Sequence, residues 1–223
     1  MGRDINFLFH FINSFVLILC FITSLRTIRR ANYPGYMNYF FIFPLVSFLL
    51  LFFFYLAVLK IIRVELFHFI DKLSVIFYFS FFANFIYKVS AVNSKRVSFI
   101  TIYSFFLVFI IWTLQSDRNS IPFISFSLSL VGLLILSIYY FHSLLNLDTN
   151  NVPLLREPSF WIITGIVFNS ITAAPIGFFI YYLYNNSDGF IYNVFYSLMA
   201  ISFLINYSTI TKAYLCTAQA PLK

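Results

Sequence analysis

An all-α bundle of seven membrane-spanning helices is the fold class this sequence predicts, and three observations predict it. Of its 223 residues, 61% are hydrophobic and only 9% charged. A soluble domain carries about 25% charged residues on its wettable surface. The mean hydropathy of +0.91 and the 33 Phe agree that the solvent for most of the chain is lipid. The apolar residues also gather into seven runs of the length that a bilayer core of about 30 Å demands of a helix.

The first run, 5–25, reads INFLFHFINSFVLILCFITSL. It is longer than the apolar part of a signal peptide, has no basic cluster before it, and ends at RTIRR instead of a small-residue cleavage site. Leu19 is too large before Cys20 for a lipoprotein cleavage box, so the run reads as a retained span. The second run, 38–59, is followed by KIIRVE, and the third, 66–87, opens on the polar stretch RVELFHFIDKL. The fourth, 97–114, lies between KVSAVNSKR and QSDRNS. In the fifth, 121–145, Ser125, Ser129 and Gly132 recur at i, i+4 and i+7, small residues that let helix backbones approach in lipid. The sixth, 160–184, sets Gly165, Asn169, Ala173 and Gly177 four apart, and Pro175 removes one backbone donor. This stripe reads as a helix-packing seam. The alternative is a midplane cleft beside Asn169, Thr172 and Pro175, as broken transporter helices provide for ligands. The seventh run is 190–215, with eight residues after it. No connection is long enough for a soluble domain, so one membrane domain over 1–223 is expected.

Seven spans put the two termini on opposite sides, and the basic residues say which side is which. Loops one, three and five with the C-terminus hold Arg26, Arg29, Arg30, Lys88, Lys95, Arg96, Arg156, Lys212 and Lys223. The other side holds Arg3, Lys60, Arg63 and Arg118. Nine against four predicts the N-terminus outside and the C-terminus in the cytoplasm, although Lys60 and Arg63 oppose it locally. Tyr139, Tyr140 and Trp161 fit an inner aromatic belt, and Trp112, Tyr181, Tyr182 and Tyr184 an outer one.

Glu65, His68 and Asp71 form a slanting row on one side of the third span. The spacing E-x-x-H also occurs in carboxylate-bridged metal sites of helix bundles. The row occupies the outer two turns of its span, and His10 and Asn13 on the first span lie at similar depth. His10, Glu65, His68 and Asp71 therefore make a candidate outer mouth for a ligand or partner. A di-metal site needs a second such helix and more glutamates, yet Glu occurs only at 65 and 157. No metal and no cofactor are predicted. The simplest reading is an interfacial rim whose carboxylates reach water, with Lys72 neutralising Asp71. Other chemistries fit less well. Lys212 lies at the cytoplasmic end of its span, where it cannot serve as a retinal-binding lysine, and no H-E-x-x-H occurs. Two cysteines make neither a disulfide framework nor a zinc site. The net charge of +7 is spread in short clusters between apolar runs, which is the pattern of membrane orientation and not of nucleic-acid binding.

The stretch REPSFWIITGIVFNS, 156–170, is the most distinctive in the chain. Pro158 suits a helix start, Glu157 the positive end of that helix, and Phe160 with Trp161 the headgroup level. Together with the seven-span plan, it resembles small seven-span bacterial membrane proteins similar to the membrane-sensor halves of sensor histidine kinases. The resemblance implies a multi-pass protein of the bacterial inner membrane and carries over no catalytic residue. It also implies a separate signalling partner such as a sensor histidine kinase, because no dimerisation helix, phospho-acceptor His or ATP lid follows Leu215. The expectation is a non-enzymatic protein, sensing or scaffolding in the lipid bilayer through that partner. A small transporter or permease with its path beside the sixth span is the alternative.

Overall fold

The computed structural model describes residues 2–28, 35–61, 63–90, 96–116, 122–146, 154–186 and 189–218. Among the described residues every regular element is helical: α1 (Gly2–Ile28), α2 (Gly35–Phe40), α3 (Ile42–Val58), α4 (Val64–Val89), α5 (Arg96–Ser116), α6 (Phe123–Asn146), α7 (Pro158–Asn186) and α8 (Gly189–Ala218), with a 3-10 turn at Leu154–Arg156. Each of the seven apolar runs falls on one helix, except the second. That run is interrupted at Phe41, where α2 gives way to α3 through a residue still near helical geometry (φ −55°, ψ −29°). Pro44 supplies the reason: it has no N–H, and its ring crowds the carbonyl four residues back, that of Phe40.

Among the described residues four helices are long and apolar enough to cross a membrane: Glu65–Val89, Arg96–Gln115, Phe123–Leu145 and Pro158–Ile180. Two shorter apolar helices, Ile12–Thr27 and Ile42–Ala57, accompany them. The exterior supports the same conclusion. α5 turns Phe105, Val108, Ile111 and Trp112 outward, a face that only lipid or another apolar surface would solvate. This is a helical membrane protein.

The core is aromatic and centres on α4. Phe40 at the end of α2 meets the rings of Phe43, Phe81, Phe82, Phe85 and Tyr214, the closest being Phe85 at 4.9 Å between centroids. Such pairs contribute about 0.5–1.5 kcal/mol each beyond the area they bury. The tightest helix contacts are between α7 and its neighbours α8 and α6, and α1 lies along α8. Small residues permit this closeness. A Cβ at Gly165 would strike Thr209 Oγ1, and one at Gly177 would strike Ser127 Oγ. On α6 a Cβ at Gly132 would come within 2.8 Å of Phe79 and 2.9 Å of Phe106, so this glycine seats α6 against α4 and α5. By contrast α3 is held lightly, by α1 on one side and α4 on the other.

One end of the bundle gathers cations onto aromatic rings. Lys88 Nζ sits 4.1 Å from the Tyr39 ring centroid, and Lys212 Nζ 5.9 Å from that of Trp161. Trp161 Nε1 donates to the Leu155 carbonyl at 2.8 Å, fixing the 3-10 turn over the start of α7.

At the opposite end α3 stops in a Schellman motif: Lys60 N–H donates to Ala57 O at 3.0 Å and Ile61 N–H to Leu56 O at 2.9 Å. The motif needs a left-handed residue, and Lys60 takes it with φ 58°. Only glycine adopts that geometry without a steric cost of about 1–2 kcal/mol. Lys60→Gly is therefore expected to stabilise the protein by about 1 kcal/mol, read as a higher midpoint of thermal unfolding in detergent. An unchanged or lower midpoint counts against this strain.

Candidate functional site

A partly open cavity of about 380 Å³ lies between the helices, walled by α1, α3, α4, the start of α6, and α8. The face of α4 that lines it follows helical periodicity through Phe67, Asp71, Ser74 and Tyr78. At 1.5 Å per residue, Asp71 lies about 10 Å and Tyr78 about 21 Å from the start of α4. The cavity thus runs from near one end of the helix toward its middle. Phe43, Tyr78 and Tyr207 meet at its deep end, with the Phe43 ring 5.9 Å from Tyr78 and 6.2 Å from Tyr207.

This geometry divides the row on α4. Asp71 lines the cavity. Glu65 is exposed on the first turn, away from the lining residues. His68 is half-buried between them, its ring 6.0 Å from that of Phe67 and its buried Nδ1 without a hydrogen-bond partner among the described residues. It interacts electrostatically with the Asp71 carboxyl. Lys72 is half-buried and does not line the cavity. His10 falls on α1, and its side chain lies outside the described residues. Three residues on, Asn13 does reach the cavity wall, together with Ser14. Among the described residues no group of three His, Cys, Asp or Glu side chains is close enough to hold a metal ion.

The polar atoms around Asp71 are sparse. Ser74 Oγ donates to the Asp71 backbone carbonyl at 2.6 Å and stands 3.5 Å from Oδ1 of its carboxyl. Asn13 Oδ1 is buried with no hydrogen-bond partner among the described residues. Ser14 Oγ shares a hydrogen bond of 3.2 Å with Tyr55 Oη, which ties α1 to α3.

The stripe on α7 lies behind this cavity, outside its lining. Asn169 is fully buried and both ends of its amide are engaged: Nδ2 donates to Tyr78 Oη at 3.1 Å, and Oδ1 accepts from Ser202 Oγ at 2.7 Å. Ser202 Oγ is in turn 2.6 Å from Thr172 Oγ1. This chain crosses from α4 through α7 to α8. Ala173 is buried against Leu130 of α6, Gly165 and Gly177 sit at the close approaches already described, and Pro175 is exposed. The stripe therefore packs and hydrogen-bonds, and the open space lies on the other side of Tyr78.

Sequence reasoning missed most of the lining. Ser47 of α3, Met199, Ala200 and Tyr207 of α8, and Ser74 and Tyr78 of α4 carry no motif. The available signal was the face of α4 itself, where Asp71, Ser74 and Tyr78 place polar atoms at i, i+3 and i+7.

Interhelical hydrogen bonds in membranes average about 0.6 kcal/mol and reach about 1.7. Asn169→Ala and Tyr78→Phe should each lower stability within about that range, measured by detergent-induced unfolding. The double variant should lose less than the sum, because both changes break one bond; strict additivity contradicts the pairing. Comparison of the chain with protein-family models, curated proteins and solved structures finds no match to any of them.

Proposed function

We propose that the chain is a seven-span membrane protein, N-terminus outside, that senses a small, largely apolar molecule held in the cavity and conveys its occupancy to a separate protein. The observation that carries this reading is the cavity itself. Its volume of about 380 Å³ is within the range of small-molecule pockets, and it is lined mainly by apolar and aromatic side chains with a few polar groups among them. Space of this size beside a carboxyl group supports a binding role.

A non-enzymatic role is supported by the composition of the walls. Among the described lining residues Asp71 is the only carboxyl, neither a thiol nor an imidazole accompanies it, and the nearby Ser74 hydroxyl donates to a backbone carbonyl. Hydrolysis or group transfer needs a nucleophile and a base within hydrogen-bond reach. A transport path beside the sixth span has less support, since Asn169 and Ala173 are fully enclosed by their neighbours. The proposed orientation, in a bacterial inner membrane, rests on the basic asymmetry and on the clustering of Lys88 and Lys212 with aromatic rings at one end. The partner is a separate signalling protein, of which a sensor histidine kinase is the proposed type.

Two measurements check this. A reporter fused at the C-terminus should be active only as a cytoplasmic reporter; activity of a periplasmic reporter there overturns the orientation. Protein purified in mild detergent should carry a small amphipathic molecule detectable by mass spectrometry. Ala200→Trp or Leu51→Trp, each filling the cavity, should lose it. Equal recovery from the wild type and from both folded variants removes the cavity from the function.

A further inference from the structure

The walls of the cavity are chemically lopsided. Among the described lining residues Asp71 is the only one with a formal charge, and no Lys, Arg or His is present. The nearest cations in sequence, His68 and Lys72, are not among the described lining residues, and the His68 ring acts on the carboxyl electrostatically from beside the cavity. A carboxylate at this depth is costly unless it is paired or hydrogen-bonded. Among the described residues the side chain that hydrogen-bonds there, Ser74, already gives its proton to the Asp71 backbone at 2.6 Å and reaches Oδ1 only at 3.5 Å.

A second acceptor shares the space. Asn13 lines the cavity from α1, and its buried Oδ1 has no donor among the described residues. Two acceptors short of donors call for a ligand that brings N–H or O–H groups, and the charge of Asp71 favours a cationic one. The remaining wall narrows the class further. Phe67, Phe123, Phe126 and Tyr78 surround an apolar body, and aromatic rings favour a cationic head over an anionic one. An anionic ligand would place like charge beside Asp71. A neutral, wholly apolar ligand would leave both oxygens unmatched.

We propose that the cavity takes a protonated amine on an apolar body, with Asp71 as its counter-charge and Asn13 Oδ1 as a second acceptor. The inference rests on the cavity being the ligand site, and the test separates the two claims. Three probes share one body and differ only in the head: 4-phenylbutylamine, 4-phenylbutanol and 4-phenylbutyrate. Each is measured by equilibrium dialysis against the full chain in nanodiscs at pH 7, with empty nanodiscs subtracted. The amine should bind about tenfold tighter than the alcohol, as a charge-assisted hydrogen bond implies, and the carboxylate should bind weakest. Asp71→Asn should bring the amine down to the level of the alcohol and leave the alcohol unchanged, whereas Asp71→Glu should keep the preference. Asn13→Leu should weaken the amine alone, and it serves as the test should Asp71→Asn not fold. Equal binding of amine and alcohol by the wild type, or an amine preference that survives Asp71→Asn, overturns the amine class while the cavity reading stands. Binding of none of the three overturns both.

Discussion

Inside a bilayer a buried polar side chain has no water to fall back on, and the bundle is organised around that constraint. The run of hydrogen bonds from Tyr78 through Asn169 and Ser202 to Thr172 is its clearest expression. Each of these groups would be expensive alone in hydrocarbon; linked, they hold α4, α7 and α8 at fixed spacing. Tyr78 belongs to both halves of the molecule. Its ring forms part of the cavity wall, and its hydroxyl is anchored to α7 on the far side.

Packing around that anchor is uneven, for reasons in the side chains. Where Gly165 and Gly177 remove a Cβ, α7 comes close enough to α8 and α6 that hydroxyls of Thr209 and Ser127 fill the vacated space. Where the residues are Phe, as along α4, the helices are held apart by rings and joined by ring contacts. α3 joins this set mainly at its start, through the Phe43 ring, and through Phe48 stacked on Phe21 of α1. It follows the interruption at Phe41 and leans on α1 and α4 with few close contacts. The cavity lies along this least-held wall, and that is where a bundle can accommodate a guest with the least disturbance.

In the proposed reading, a guest against Asp71 also touches the helix whose Tyr78 is bonded to Asn169. Occupancy at one wall then bears on the tightest helix pair in the protein, α7 with α8. That pair ends at the pole where Lys212 lies over Trp161 and Cys216 approaches the Leu155 carbonyl.

Composition and run length were enough to place the chain in a membrane as helices, because burying a backbone in lipid leaves the helix as the economical solution for apolar runs of this length. All seven runs fell on helices for the same reason. The close approaches of α7 at Gly165 and Gly177 had a signal in the sequence as well, since small residues four apart let helix backbones come together in lipid. The fate of Glu65, His68 and Asp71 was not. Spacing of three puts residues on one side of a helix, but each step still turns by tens of degrees, and which of them faces the interior depends on where α1, α3 and α8 stand around α4. That placement sent Asp71 inward to a cavity shared with Asn13 and left Glu65 exposed. It also gave Asn169 to Tyr78, ninety-one residues away in the chain, a pairing that no local pattern encodes because it arises only when two distant helices meet.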